Sequence, residues 1–457
     1  MAAQPTSAID SGKAEAPFPA RRYAWYVVGV LTLAYIFSFI DRQIFSLLVA
    51  PLRRDLGISD TQVSLLMGFS FALFYTFFGI PLGRLADTRS RRSIIAIGLL
   101  FWSAFTAMCG FARSFAQMLL YRTGVGVGEA ALSPSAYSLI TDYFPKDKLA
   151  TAIGVYSMGI YIGSGLSFLL GGIVIRLASA REAWMLPIFG AIRPWQVIFL
   201  AVGLPGMLIV PIMYTIREPI RRGLTRHSSS IAPAQALRYI LDNKTTFTCH
   251  NLGFGLLALT SYASAAWVPE FFRRHYHWDI PHTALVYGPM VMVFGSLGVA
   301  GAGWVADRIR SRDIVHANML VGMWIALIGI PTGLLMYLAP SANWAVIGLV
   351  PGCILAAAPF GIAPAAIQQM MPNAMRGQAS ALYLFIINMI GMGLGPTAVA
   401  VCTQYLFRRD DALNLSLLLV HITAVILAAA LLGSGMKPFC RSIERLHRWN
   451  TDEQLAK

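Results

Sequence analysis

Long apolar runs of roughly 20 residues recur along almost the whole chain, separated by short charged or turn-forming segments. A run of this length crosses the hydrocarbon core of a bilayer as a helix. Only 12% of the 457 residues are charged and 56% are hydrophobic, whereas soluble proteins carry about 25% charged residues. The chain lacks the polar residues that would cover such runs in water. The pattern therefore predicts an all-α polytopic membrane protein.

Twelve membrane spans are predicted from these runs, which we number one to twelve: 23–50, 60–82, 93–112, 116–143, 149–176, 195–216, 246–270, 283–305, 314–339, 343–371, 377–406 and 412–435. We expect two six-helix bundles, at 23–216 and 245–436. A disordered cytoplasmic N-terminus (1–22), a cytoplasmic linker with an amphipathic helix (217–244) and a basic cytoplasmic tail forming a short helix (437–457) complete the predicted organisation.

A charged decapeptide occurs twice between apolar runs. Residues 83–92 read GRLADTRSRR, and residues 303–312 again contain a glycine, an aspartate four positions later and a cluster of arginines. Paired glycines in spans five and eleven and a proline in spans four and ten repeat as well. The chain is therefore predicted to contain two parallel repeats of six spans, an internal symmetry known from one large class of transporters.

The basic residues indicate the orientation. The net charge is +15, and the loops on the side of both termini carry more than twice the Lys and Arg of the opposite loops. The richer side is expected to be cytoplasmic, which puts both decapeptides inside. Because the charges lie in alternate loops, we interpret them as orientation signals and lipid contacts and not as a nucleic-acid surface. We expect a multi-pass protein of the cell (inner) membrane.

No enzymatic or metal site is predicted. The five cysteines show no paired or metal-binding spacing, which favours reduced thiols. The chain has no phosphate-binding Gly-Lys-Ser/Thr loop and no large cytosolic domain. We therefore expect no cofactor, and an ion gradient as the source of energy.

Several motifs resemble a known family. The loop 83–92 is similar to the loop signature of the major facilitator superfamily, and the string that begins RTGVGVGEA at Arg122 is similar to its fourth-helix motif. That longer string, with Asp41 and Arg42 in span one, resembles the Spinster-type transporters of lysophospholipids or sphingosine-1-phosphate. The span-five glycines resemble the antiporter motif, but Ser164 and Leu166 stand where a proline is usual. The resemblance implies the major facilitator fold, a bacterial member and a functional monomer.

Four charged residues stand out because they lie well inside predicted spans: Asp41, Arg42, Arg122 and Glu129. Such residues are costly in a bilayer and therefore point to function. Arg122 and Glu129 are seven residues apart and share one helix face. If spans one and four adjoin, as the resemblance implies, the four charges form one network. We predict that this network couples transport to protons, since a carboxylate binds a proton more readily when its arginine moves away. The alternative is a fixed structural network. Both arginines also suit a phosphate headgroup.

A cytoplasmic gate is predicted at the two decapeptides and the start of span eleven, with the residues Gly83, Asp87, Arg91, Asp307, Arg308 and Arg376. The Asp87 carboxylate is expected to face the positive N-terminal end of span eleven and to latch the two halves together. By resemblance, this latch stabilises an outward-facing state. The alternative is that the loops serve only to orient the chain.

A substrate cavity is predicted between the bundles near the membrane midplane. The candidate lining residues are Phe37, Ser133, Tyr137, Tyr161, Tyr262, Trp267, Tyr287 and Asn388. Apolar walls with few polar groups suit a lysolipid-like amphiphile and disfavour sugars, which need many hydrogen-bond partners. The competing functions are export of a drug or small organic anion, a channel, and a non-transporting lipid sensor.

Overall fold

Eleven helices in the described part of the chain are long and apolar enough to cross a membrane, by length and composition. The structure, a computed structural model, describes residues 18–181, 183–186, 190–221, 233–372 and 375–455. Predicted span four is formed by two consecutive helices, Phe115–Glu129 and Leu132–Tyr143. Pro134 explains the interruption, because proline lacks the amide hydrogen and its ring clashes with the carbonyl four residues earlier. All twelve predicted spans thus correspond to helical segments.

The first half of the chain contains the α-helices Arg21–Ile44, Val49–Leu56, Asp60–Ser64, Ser70–Thr88, Arg91–Cys109, Phe115–Glu129, Leu132–Tyr143, Lys146–Ala178 and Pro194–Tyr214. The second half contains Pro233–Asp242, Lys244–Tyr276, Ile280–Met290, Ser296–Arg310, Ala317–Tyr337, Ala342–Ala357, Pro359–Met370, Arg376–Ile387, Gly395–Val401 and Leu413–Leu455. Short 3₁₀ turns lie at Phe45–Leu47 and Asp410–Ala412. An antiparallel hairpin pairs Trp184–Leu186 with Gly190–Ile192.

Three spans contain a turn of π-helix, at Leu65–Phe69, Val291–Gly295 and Asn388–Leu394, and a fourth such turn, Cys402–Phe407, ends span eleven. Each of the first three lies inside a long apolar helix that continues beyond it. Such bulges are frequent at functional sites.

The hydrophobic cores differ between the two ends of the molecule. We call the end with the loops 83–92 and 303–312 the inner end, because the charge distribution predicts it to be cytoplasmic, and the opposite end the outer end. Two large clusters of buried side chains near the inner end each come almost wholly from one half of the chain. A third cluster, which includes Phe45 and Trp267, joins both halves at the outer end. The two bundles are therefore packed together outside and separated inside.

Glycines permit the closest approach between the bundles. A methyl group at Gly165 in span five would lie 2.7 Å from the carbonyl oxygen of Gly288 in span eight. A methyl group at Gly68 in span two would overlap the carbonyl oxygen of Met392 in span eleven. Spans five and eight, and spans two and eleven, are therefore the crossing pairs that join the halves.

The chain outside the spans differs in one respect from expectation. The linker contains a helix, Pro233–Asp242, that buries Ala236 and Tyr239 and exposes Leu237 and Leu241. The basic tail, however, does not form a separate short helix. It continues span twelve within the single helix Leu413–Leu455, because Pro438, the one proline inside that helix, does not interrupt it.

Candidate functional site

A large cavity lies between the two bundles. Its volume is about 2020 Å³, and residues of both halves line it. At the inner ends of spans two and eleven, its wall reaches Gly83, Arg84, Gln378 and Ser380. The outer end is closed by the core that both halves share. The structure therefore shows an inward-open arrangement.

Six of the eight predicted lining residues lie on the cavity wall: Ser133, Tyr137, Tyr161, Tyr262, Tyr287 and Asn388. The other two lie elsewhere. Phe37 packs half-buried against the core of the N-terminal bundle. Trp267 is fully buried, and its indole nitrogen donates a hydrogen bond of 2.9 Å to the Pro396 carbonyl, so it joins spans seven and eleven.

The wall is mostly apolar and aromatic, with scattered hydroxyl groups. Among the described residues that line the cavity, the arginines Arg42 and Arg84 are the side chains with a formal charge. Arg84 is exposed at the inner mouth, whereas the Arg42 side chain is only 13% exposed. Arg42 is thus the charge that a ligand deep in the cavity would meet.

The four charged residues inside the spans come together as two ion pairs. Arg42 in span one uses Nε and Nη2 to contact one oxygen of Glu129, Oε2, each at 2.6 Å. Ser38 donates a further hydrogen bond of 2.5 Å to the same oxygen. One helical turn separates Ser38 from Arg42, which puts both side chains on the same face of span one.

The second pair lies deeper in the bundle. Arg122 Nη1 lies 3.5 Å from Asp41 Oδ1, and Thr106 in span three donates a hydrogen bond of 2.6 Å to Asp41 Oδ2. Arg122 Nε donates to the Leu66 carbonyl at 3.4 Å. Asp41, Arg122 and Glu129 are almost fully buried, so of the four charges Arg42 alone reaches the cavity wall.

Several atoms of this network have no hydrogen-bond partner among the described residues: Asp41 Oδ1, Glu129 Oε1, Arg122 Nη1 and Arg122 Nη2. Each carboxylate thus has one well-bonded oxygen and one without a hydrogen bond. A buried polar group left in this state is costly and usually has a functional reason. Protonation at the second oxygen would neutralise either carboxylate without breaking an existing hydrogen bond.

An aromatic enclosure that was not predicted from the sequence surrounds Arg42. The guanidinium carbon lies 4.8 Å from the ring centre of Phe39, 4.7 Å from that of Phe71 and 4.8 Å from that of Tyr75. Phe39 precedes Arg42 by three residues on the same helix, and Phe71 and Tyr75 are four residues apart in span two. This helical spacing is visible in the sequence. The sequence does not show, however, that span two packs against span one and so brings its rings to Arg42.

The predicted gate residues have different surroundings. Gly83 lines the cavity, and Asp307 and Arg308 are exposed at the inner end of span eight. Arg376 Nε donates to the Met371 carbonyl at 3.3 Å, within its own bundle. The side chain of Asp87 lies outside the described part of the structure, so the latch across the bundles stays a prediction.

Arg91 is buried and binds the N-terminal bundle and the start of the linker. Its guanidinium contacts the Asp142 carboxylate, the Ser138 side chain at 2.9 Å and, through Nε, Glu218 Oε1 at 2.8 Å. Glu218, which is not among the predicted site residues, also accepts hydrogen bonds from Ser90 and from the Arg92 amide. Burial alone would raise the pKa of Glu218, but these hydrogen bonds outweigh it and hold that pKa below its usual value.

Ion pairs that join the two halves at the outer end were also not predicted from the sequence. Arg274 of span seven contacts both oxygens of Asp60 in span two, at 2.7 and 2.8 Å. Arg53 lies 2.8 Å from Asp410, again across the two halves. Glu270 accepts a hydrogen bond of 2.6 Å from Arg274 and is almost fully buried. The partners in the two pairs that cross between the halves are more than 200 residues apart, so no local pattern in the sequence indicated them.

The described residues contain no cluster of three or more His, Cys, Asp or Glu side chains that would hold a metal ion. The two histidines inside apolar spans bind the backbone: His250 Nε2 lies 3.0 Å from the Ala363 carbonyl, and His421 Nε2 lies 2.9 Å from that of Gly329. Their contacts are those of structural histidines.

Comparison with known proteins gives consistent relatives. The model of the Major Facilitator Superfamily matches residues 31–396. An "MFS-type efflux pump" of Mycolicibacterium smegmatis is 26% identical over 91% of this chain and 93% of its own. "Protein spinster homolog 1" of Rattus norvegicus is 25% identical over 91% of this chain and 81% of its own. A solved bacterial homolog of the human lysosomal transporter Spinster, inward-facing and unoccupied, superposes with a TM-score of 0.78 at 26% identity, covering 93% of this chain and 99% of that one.

Proposed function

The chain belongs to the major facilitator superfamily, and we propose that it is a proton-coupled transporter of a lysophospholipid-like or sphingolipid-like amphiphile that works by alternating access. Proteins of this superfamily are multi-pass membrane transporters, so the chain is a transporter and not an enzyme. The resemblance to the Spinster type, predicted from spans one to five, is confirmed by relatives and by a structural neighbour of that type. Our proposal concerns the identity of the substrate and of the coupling ion.

The observation that carries the substrate proposal is the cavity. It is larger than the roughly 300–1,000 Å³ of ordinary small-molecule sites. Its wall is apolar and aromatic, and Arg42 supplies a single cation in its depth. An amphiphile with one anionic headgroup and a long apolar tail matches both properties. A sugar fits this wall less well, because the hydroxyl and amide groups on it are spread over a large apolar surface and a sugar needs a dense set of hydrogen-bond partners.

Proton coupling is supported by the two carboxylates behind Arg42. In each carboxylate, one oxygen has no hydrogen-bond partner among the described residues. Arg42 contacts Glu129 and also lines the cavity, so a ligand there competes with Glu129 for the same guanidinium. An anionic headgroup that binds Arg42 weakens its attraction for Glu129, which favours a proton on the Glu129 carboxylate. A proton and the substrate are thus linked through one arginine.

Flux measurements test this proposal. Purified protein in proteoliposomes should move a labelled lysophospholipid faster when a pH gradient is imposed. We expect Asp41→Asn and Glu129→Gln each to remove the dependence on the gradient, because neither amide can take up a proton. Glu444→Gln, at an exposed position of the last helix, is the matched control. Proton coupling would be excluded if both network variants kept the full pH dependence.

A second candidate is export of a drug or a small organic anion by the same fold. The relative from Mycolicibacterium smegmatis favours it, because that protein is described as an efflux pump. A competition assay separates the two. We expect unlabelled lysophospholipid, but not a hydrophobic cation, to inhibit flux, since Arg42 repels a cation. Inhibition by the cation alone would favour the drug exporter.

A further inference from the structure

The surroundings of Arg42 are more specific than an ion pair requires. Three ring faces, from Phe39, Phe71 and Tyr75, lie within 4.8 Å of its guanidinium carbon, and Glu129 holds Nε and Nη2. Aromatic faces attract a cation and exclude water from it. A long, flexible arginine side chain is thereby confined to one position in the cavity wall.

This position leaves one part of the guanidinium for a ligand. Nε and Nη2 are both directed to Glu129, and no hydrogen bond to Nη1 is found in the described part of the chain. Arg42 belongs to the cavity wall and keeps 13% of its side chain exposed. An anion in the cavity can therefore approach Arg42 while the pair with Glu129 is still in place.

Tyr75 is the ring in this enclosure that carries a hydrogen-bonding group. Its hydroxyl donates to Ser133 Oγ at 3.5 Å, so a residue of span two touches Arg42 of span one and Ser133 of span four. Phe71, one turn earlier, stacks on Tyr75 with 5.5 Å between ring centres. Tyr75 also lines the cavity itself, so it forms the boundary between the ligand space and the guanidinium.

We propose that Tyr75 is a positioning residue for recognition of an anionic headgroup: its ring, with those of Phe39 and Phe71, holds the Arg42 guanidinium at the cavity wall with Nη1 available. This inference rests on the proposed function, because it presumes an amphiphilic anion as ligand. Without the ring, Arg42 gains water and additional rotamers. Restoring its position on binding then costs conformational entropy, which weakens the binding of anions and leaves neutral ligands unaffected.

Binding of two ligands that differ only in charge tests this role. The full-length protein in detergent is titrated with lysophosphatidic acid and with a monoacylglycerol of the same chain length. We expect Tyr75→Leu to weaken lysophosphatidic acid binding roughly 3- to 30-fold, the size of a cation–π contact, and to leave monoacylglycerol binding nearly unchanged. Tyr75→Phe should restore the preference, because the ring is kept. Tyr137→Leu, also on the cavity wall but with its ring against Tyr156, should affect both ligands equally.

Two results would overturn the positioning role: an equal loss for both ligands in Tyr75→Leu, or no loss for lysophosphatidic acid. Phe71→Leu provides a second variant if Tyr75→Leu does not fold, and the same two results count against the proposal there. Failure of the proposed function is a distinct outcome. In that case the unmodified protein binds neither lipid, whereas failure of the positioning role alone leaves its preference for the phosphate intact.

Discussion

Thr106 and Ser38 show how single hydroxyl groups stabilise charge inside the membrane. The Thr106 hydroxyl donates a hydrogen bond of 2.6 Å to Asp41 Oδ2, and the Ser38 hydroxyl donates one of 2.5 Å to Glu129 Oε2. Both hydroxyls replace water that the carboxylates lose on burial. They are neutral residues in apolar helices, and their role follows only from the carboxylate that each of them faces.

At this scale we predict that Thr106→Val destabilises the protein. Valine keeps the shape but removes the donor, which leaves a buried carboxylate oxygen without a partner and costs about 1–3 kcal/mol. The thermal unfolding midpoint in detergent should fall. Thr106→Ser, which retains the hydroxyl, is the control and should stay closer to the original midpoint. Equal midpoints for all three proteins would show that this hydrogen bond does not contribute.

At the scale of elements, the start of the linker is fastened to the loop 83–92. Glu218 accepts hydrogen bonds from three consecutive residues, Ser90 to Arg92. Arg221 Nη2 donates to the carbonyls of Ala86 and Arg89, at 2.8 and 2.6 Å. The decapeptide thus joins spans two and three to the segment that leaves span six, a role independent of any latch across the bundles.

This attachment should depend on pH in a defined direction. The pKa of Glu218 is lowered in the folded protein, so its stabilising effect is complete above the ordinary glutamate pKa of about 4.3 and is lost as the pH falls through the lowered value. We expect Glu218→Gln to have a lower unfolding midpoint than the unmodified protein at pH 7. Between pH 5 and pH 7 the difference should stay constant, and it should shrink only below about pH 4.3. A difference that disappears already near pH 6 would contradict this assignment.

At the scale of the whole molecule, the two ends are closed by different means. The outer end has a shared core and ion pairs across the bundles, Arg274 with Asp60 and Arg53 with Asp410. At the inner end, Arg91 binds the N-terminal bundle and the start of the linker, and Arg376 binds within its own bundle. The contacts that cross between the halves therefore favour the inward-open state, and weakening them should favour the alternative state.

We predict that Asp60→Asn shifts the population towards the outward-open state, because Arg274 loses a bidentate partner that it holds in a buried setting. Spin labels at Thr88 and Ser311, both exposed at the inner ends of the two bundles, report the change as a larger fraction of short distances. Asp411→Asn is the matched control, since Asp411 pairs at 3.7 Å with Arg409 of the same bundle. An unchanged distance distribution in Asp60→Asn would show that the outer pair does not set the equilibrium.

The membrane class and the helical spans could be predicted from the sequence, because helices and closed barrels are the structures that cross a bilayer and long apolar runs indicate helices. The repeated decapeptide also predicts an internal duplication. The four charges inside the spans could also be identified from the sequence, since each is conspicuous in an apolar helix. The break in span four was not predicted as such, although the effect of Pro134 is local. These features depend on neighbours in the chain or on the lipid around it.

The three-dimensional arrangement of the helices was needed to show which charges pair, which rings surround Arg42 and which end of the molecule is closed. Asp41 and Arg42 are adjacent in the chain, yet they turn to different partners, Arg122 and Glu129. Likewise, Asp60 and Arg274 belong to different bundles. Such contacts join residues that are distant in sequence, and their geometry is set by how the helices dock. Helix docking depends on the packing of many side chains at once, and no single stretch of the sequence records it.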